Sequence, residues 1–319
     1  MTDHQWTENT FWVIRSAGER TVEACADLIR AFVPEHRIVI VEERPFAAAI
    51  AKTYRLAAAS GCKWTFCIDA DVLVHAEGFR QLYEVAESVH DTIWYVQGLT
   101  VDKFIPIIRT AGNGIYRSWV AGMAISEIPE DGTTLRPEAT TIDRMIDRGY
   151  QAYRTPIVVG IHDFEQHYHD IARKTFLHYH KHQNVRPEMQ GYWRNEQESD
   201  ADFKAALLGA KLGEDYKDNL LIDREFKRQE IAAGLERMEL APKPPLPAGS
   251  ITTDYVTNFL AAYQPDPVIQ RKKYPEYTEY ILRWPLATPE RRFLNSLRRL
   301  KRRLLRAARL APPKKKRLG

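Results

Sequence analysis

Through the first half of the chain, short apolar runs alternate with stretches in which apolar residues recur every three or four positions. Phe11-Trp12-Val13-Ile14-Arg15 reads as a strand, broken by Ser16-Ala17-Gly18. From Glu19 to Phe32 a helix is expected, because Val22, Ala26, Ile29 and Val33 recur at helical spacing, and Pro34 closes it. Arg37-Ile38-Val39-Ile40-Val41 is an uninterrupted β-branched run ending in Glu42-Glu43, which suits a parallel strand covered on both faces. The alanine-rich stretch 46–60 is helical by propensity and Gly61 stops it. Lys63-Trp64-Thr65-Phe66-Cys67-Ile68 then runs into Asp69-Ala70-Asp71, so an apolar strand ends abruptly in charge. The order β-α-β-α-β predicts an α/β fold with a mostly parallel sheet and right-handed crossovers.

Further along, a helix is expected over 74–89, with Phe79, Leu82, Val85 and Val89 on one face, and a strand over 92–99. Residues 110–117 are punctuated by glycine and read as a loop leading to a short strand near the tip of the Asp69 strand. A helix over 138–148 stops at Gly149, and 152–160 runs extended toward six of the chain's ten histidines, His162, His167, His169, His178, His180 and His182. Residues 201–240 are helical and charged, 241–247 form a stiff proline-rich linker, and Phe293, Leu297, Leu300, Leu304 and Ala308 mark a basic amphipathic helix. The expected organisation is a catalytic domain at 1–190, a helical extension at 191–240, a linker at 241–249 and a C-terminal segment at 250–319.

Composition adds a charge asymmetry and little else. The 319 residues are 44% hydrophobic and 28% charged, as in an ordinary globular protein. Cys25, Cys62 and Cys67 are few, odd in number and outside any metal-ligand spacing, so reduced thiols in a cytosolic compartment are expected. The polar start lacks a signal-peptide pattern, and no apolar run approaches the roughly 20 residues of a spanning helix. From Glu290 onward thirteen Lys and Arg face one acid, which leaves the rest of a chain of net charge +4 acidic. The apolar stripe within this basic tail points to an anionic membrane surface rather than to nucleic acid. A cytoplasmic protein lying peripherally on the inner face of a membrane is the expectation.

Asp69 and Asp71 are the leading chemical candidates. Ligands of open α/β sheets bind beyond the carboxyl ends of the strands, and paired carboxylates there suit a hard divalent cation, Mn²⁺ or Mg²⁺, and a phosphate behind it. The same triplet recurs as Asp200-Ala201-Asp202, but with no strand before it, and reads as a solvated turn or helix start. Most of the histidines read as a polar helix surface. His162 differs, because it follows Ile157-Val158-Val159-Gly160-Ile161 and would be delivered to a strand tip beside Asp163.

With strand, crossover helix, strand and Asp-x-Asp in this order, residues 11–182 resemble the nucleotide-diphospho-sugar glycosyltransferases of the GT-A fold, in particular a large bacterial family-two-like group. The resemblance implies a Rossmann-like sheet flanked by helices, with a helical C-terminal extension here. It implies nucleoside contacts at Arg15 and Ser16 and at Glu42 or Glu43, and metal contacts at Asp69, Asp71 and His162. Lys52-Thr53 stands where relatives carry Arg-Asn. The acidic pair that many inverting relatives place before a Gly-Tyr is here Pro137-Glu138, ahead of Gly149-Tyr150, so Glu138 is the candidate base for the acceptor hydroxyl and Asp143 its rival. Arg117 is a candidate cation for the diphosphate.

The implied activity is a metal-dependent, hexosyltransferase-like transfer of sugar from a nucleotide-diphosphate donor to an acceptor hydroxyl, with a lipid-linked or polysaccharide acceptor. Two alternatives stay open: a nucleotidyltransferase of similar topology, for which 16–20 is a poor phosphate loop, and a membrane-associated scaffold without catalysis.

Overall fold

The computed structural model describes residues 5–274, Gly112 excepted. The basic amphipathic helix expected at 293–308, and with it the membrane contact, lies outside the described residues.

In chain order the elements are α1 (Gln5–Glu8), β1 (Thr10–Arg15), α2 (Val22–Arg30), β2 (Ile38–Val41), α3 (Phe46–Ala59), β3 (Trp64–Asp69), β4 (Val72–Val74), α4 (Ala76–Ser88), β5 (Ile93–Asp102), β6 (Ile108–Arg109), β7 (Gly114–Arg117), α5 (Ser118–Ala124), α6 (Pro137–Asp147), β8 (Gln151–His162) and α7 (Tyr168–Lys181). Beyond these come α8 (Arg186–Glu196), α9 (Ala201–Asp215), α10 (Arg228–Arg237), α11 (Thr253–Ala262) and α12 (Pro267–Lys273). One eight-stranded sheet has the order β2-β1-β3-β7-β5-β8-β4, with β6 paired to β5. Strands β2, β1, β3, β5 and β8 run one way, while β7, β4 and β6 oppose them. The sheet is therefore mixed, and mostly parallel by strand direction.

Two aromatic layers hold the sheet. Trp12 of β1 and Phe66 of β3 are register partners whose rings stack at 4.1 Å, and Trp6 of α1, Phe79 of α4 and Phe32 from the turn after α2 close around them. Val13 and Cys67 point the opposite way, onto Ala49, Ile50 and Tyr54 of α3. Each such side chain contributes roughly 1.5–3 kcal/mol on burial, and a slip of one residue would expose the whole set, so the register is fixed. It follows that Arg15 and Asp69 lie side by side at the strand tips.

A second core forms where α8 and α9 pack with Phe104, Ile105, Ile107 and Ile171, burying Trp193 and Phe203. The described chain through Tyr274 belongs to one compact unit. The proline-rich stretch runs along that unit, pinned by Lys243 to Asp202 and by Arg20, whose Nη2 donates to the Pro244 carbonyl at 2.8 Å. Asp202, read above as solvated, is in fact buried. Asp200 caps the start of α9, while Asp202 sits between the ammonium groups of Lys103 and Lys243.

Candidate functional site

The carboxyl ends of β3, β5 and β8 converge on one acidic cluster. Asp102 and His162 are register partners across the parallel β5/β8 ladder. His162 Nδ1 lies 2.8 Å from Asp102 Oδ2, and Arg109 donates to the same carboxylate through Nε at 2.8 Å. β4 doubles back against β8 with Val72 opposite His162, which is possible because position 160 is glycine: a Cβ there would meet the Leu73 carbonyl at 2.4 Å. The turn carries Asp71 alongside Asp163, whose N–H donates to the Asp71 carbonyl at 3.0 Å. Asp163 and Glu165 both have left-handed backbones, at φ 65° and 60°. Conformations of this kind cost on the order of 1–3 kcal/mol and persist where the surroundings hold them. Lys174, bonded to Asp163, and Arg20, 2.6 Å from Glu165, do so here.

Asp71, His162 and Asp163 could hold a metal ion, since one ligand atom of each lies within 4.8 Å of the others. Three further observations test the fit. The Asp71 Oδ1 and Asp163 Oδ2 oxygens are sealed from solvent without a hydrogen-bond donor. Asp102 accepts the Nδ1 proton of His162, leaving Nε2 facing Asp71 Oδ1 at 3.6 Å, the arrangement in which a carboxylate orients a ligating imidazole. Two hard carboxylates with an imidazole suit Mn²⁺ or Mg²⁺ better than a soft ion. The donor set fits a hard divalent cation.

A cation already belongs to the cluster. Lys174, from the middle of α7, places its ammonium against both Asp71 and Asp163. Burial alone would raise the Asp71 carboxyl, but the Lys174 ammonium and then the His162 ring hold it well below the ordinary carboxylate range. Burial would likewise suppress the charge on Lys174, and the two carboxylates more than offset that. His162 is raised despite burial, by Asp163 and Asp71.

The sequence candidates separate into three places. Asp71 and His162 join the acidic cluster with Asp163. Asp69 turns instead to Arg15, whose Nε donates to its Oδ1 at 2.8 Å, and burial followed by the nearby Asp71 pushes its carboxyl up to about 6 although Arg15 opposes the shift. Arg15 also holds Glu138, through Nη1 at 2.6 Å, and Tyr116 donates to the same Glu138 oxygen at 2.8 Å. Both α6 candidates are thereby told apart: Glu138 faces inward to Arg15, whereas Asp143 is exposed on the outer face of the helix. Ser16 is buried beside the end of β2, its N–H donating to the Val41 carbonyl at 2.8 Å, while Glu42 and Glu43 are exposed, the latter 3.7 Å from an exposed Lys52.

Arg117 does not join them. It pairs with Trp64 at the entry of β3, the end opposite Asp69, stacked 4.4 Å over the Trp64 ring and 3.2 Å from Asp91. Four members of the site escaped the sequence reading. Asp102 is visible in retrospect as the charge ending a long apolar strand, and Asp163 as the neighbour of His162. Nothing local in the sequence marks Arg109 or Lys174, which long-range packing delivers.

Fold and site define an α/β protein whose parallel strand tips present an Asp-His-Asp cluster suited to a divalent cation. No protein-family model and no curated protein matches the chain. Among solved structures it is similar to a mannosyltransferase from Pyrobaculum calidifontis in complex with GDP-Man and Mn²⁺, at 13% identity and TM-score 0.37, over 88% of each chain. It is also similar to a glycosyltransferase involved in glycosylation of the major capsid of PBCV-1, at 13% identity and TM-score 0.34, over 47% of this chain and 80% of that one. A third similar structure is A197 from STIV, at 11% identity and TM-score 0.33, over 46% and 82%.

Proposed function

We propose that the protein is a glycosyltransferase of GT-A type, moving a hexose-like sugar from a nucleotide-diphosphate donor to an acceptor hydroxyl. The observation that carries this reading is the acidic cluster at the carboxyl ends of β3, β5 and β8, where an open α/β sheet binds its ligands. Asp71, His162 and Asp163 would hold Mn²⁺ or Mg²⁺, which when bound neutralises the charge of a departing nucleoside diphosphate. Asp102 fixes the His162 ring for that task, and Arg109 in turn holds Asp102. Asp69, kept in place by Arg15, is positioned for a sugar or ribose hydroxyl. The donor's nucleoside lies over the β1 and β2 tips near Ser16, Glu42 and Glu43. Glu138, facing Arg15, is a better candidate than Asp143 for the acceptor side. A lipid-linked or polysaccharide acceptor, and a cytoplasmic location on a membrane face, fit the basic stretch beyond Glu290.

A panel of sugar nucleotides with Mn²⁺ or EDTA tests the reading. Metal-stimulated hydrolysis of one donor, abolished by Asp71→Ala, is the expected result. No metal-dependent binding of any nucleoside diphosphate would remove the proposal and favour a scaffold.

A further inference from the structure

We propose that the cleft between the first turn of α7, α10 and the proline-rich stretch binds an uncharged hydrocarbon chain, the apolar tail of a lipid-linked acceptor. The acceptor role rests on the transferase reading, whereas the binding of a chain does not.

The cleft encloses about 880 Å³, within the roughly 300–1,000 Å³ of small-molecule sites. Tyr168, Ala232, Leu235, Leu240 and Pro242 supply its apolar wall. The fold fixes its shape. Glu239 takes a left-handed backbone, φ 55°, which turns the chain after α10 so that the Leu240 N–H donates to the Leu235 carbonyl at 3.1 Å. Tyr168, Leu235 and Leu240 pack against the core that holds Trp193 and Phe203. Pro242 is held through its neighbour Lys243, which pairs with Asp202 and lies 4.9 Å over the Tyr168 ring.

The charges around the cleft favour a neutral guest. Four Lys and Arg and four Asp and Glu line it, so it carries no net formal charge. Its cations are engaged: Arg224 donates to the two Asp170 oxygens at 3.2 Å and to the Ala17 carbonyl at 2.6 Å, Arg228 bonds Glu225, and Arg44 donates to the Ala17 carbonyl at 3.2 Å. Burial lowers both His167 and His169. Glu236 and Glu239 are exposed and would repel an anionic head. Long charged side chains whose heads are turned to partners leave their stems as apolar wall. A phosphate or carboxylate would have to break these pairs. A hydrocarbon chain needs only the wall, and each methylene it buries strengthens binding about fourfold.

The cleft adjoins the strand tips. Tyr168 stands five residues after Asp163, and Arg20 ties Glu165, at 2.6 Å, to the Pro244 carbonyl, at 2.8 Å. Arg44 and Arg224 both reach the loop after β1 through the Ala17 carbonyl. A chain in the cleft can thus extend its head group toward the β1 and β8 tips.

The test is calorimetric titration of octyl β-glucoside, below its micellar concentration, into the full chain, with methyl β-glucoside as the same head without the chain. The methyl glycoside is expected to bind at least about tenfold more weakly. Ala232→Trp and Ala241→Trp fill the cleft from α10 and from the proline-rich stretch, both at exposed positions. Each is expected to weaken octyl glucoside about tenfold or more, the loss of some two buried methylenes, with the thermal midpoint unchanged. Equal affinity for the two glycosides, or octyl glucoside bound as tightly by both tryptophan variants as by wild type, would overturn the proposal. Saturating octyl glucoside is expected to alter the rate of metal-dependent donor hydrolysis in wild type but not in the tryptophan variants; hydrolysis indifferent to the bound chain would overturn the acceptor role. Octyl glucoside bound in the cleft of a protein that hydrolyses no donor would sink the glycosyltransferase reading alone.

Discussion

His162 Nδ1 and Asp102 Oδ2 lie 2.8 Å apart across the parallel β5/β8 ladder, buried together at the strand tips. That contact sets which ring nitrogen is free to face Asp71. Asp102→Asn is isosteric but can present its amide to the ring, so the free nitrogen would change. The expected outcome is a loss of about 10–100-fold in Mn²⁺ affinity with little change in the far-ultraviolet circular dichroism. Unchanged Mn²⁺ affinity would show that His162 is not oriented for a metal.

Lys174 competes with any ion for Asp71 and Asp163. Lys174→Met leaves two buried carboxylates facing each other, and breaking a buried pair costs about 3–5 kcal/mol. The variant is expected to melt well below wild type in EDTA and to recover in Mn²⁺, with a larger metal-induced rise in thermal midpoint than wild type shows. An equal rise in both proteins would mean that the ammonium and the ion do not share a position.

What the sequence revealed and what it hid follow from the range of the interactions. Trp64–Asp69 was legible because a strand buried on both faces is a continuous apolar run whose end is marked by charge. Asp71 and His162 could be proposed as partners for the same reason. β4 was missed, since three residues at Val72–Val74 carry no period, and it is this strand that turns Asp71 away from Asp69. The exposure of Asp143 against the burial of Glu138 depends on how α6 docks, which one helix's pattern does not fix. Arg117 was misplaced because its strand, β7, runs opposite to β3 and puts its last residue at the wrong end.

Glu138 and Asp143 give opposite expectations on the same helix. Glu138→Gln removes the charge held by Arg15 and Tyr116 and is expected to lower turnover by about 10²-fold or more if it serves the acceptor hydroxyl. Asp143→Asn, on the exposed face, is expected to leave turnover unchanged and stability within about 0.5 kcal/mol. Turnover measured on both variants decides the matter, and a loss confined to Asp143→Asn would reverse the assignment.

Lys181 gives stability a pH dependence whose sign can be worked out. Its ammonium faces Arg136, Arg173, Arg109 and Lys174, and its folded value of about 7 lies below the ordinary 10.5. Below pH 7 both folded and unfolded chains carry the proton and the repulsion is present in full. Between about 7 and 10.5 the unfolded chain retains a proton that the folded chain has released, so stability rises with pH in that window. Thermal midpoints are expected to climb from pH 7 to 9, and Lys181→Met is expected to flatten the slope. Identical slopes in the two proteins would refute the assignment.

Asp202 repeats the Asp-Ala-Asp spelling of the site and yet belongs to the packing of α9. It is 2% exposed, with Lys103 and Lys243 against its two oxygens, so its removal takes the carboxylate away from Lys243 and leaves Lys103 with Asp200 alone, 2.7 Å away. Asp202→Ala is expected to cost about 3–5 kcal/mol and to loosen the proline-rich stretch that Lys243 anchors. The population still folded at low temperature is expected to bind Mn²⁺ as wild type does, because none of the cluster residues touches this carboxylate. Limited proteolysis near Pro244 and Mn²⁺ titration, run side by side, separate the two effects: faster cleavage with unchanged metal affinity is the expected pair, whereas lost metal affinity in the folded fraction would couple α9 to the strand tips after all.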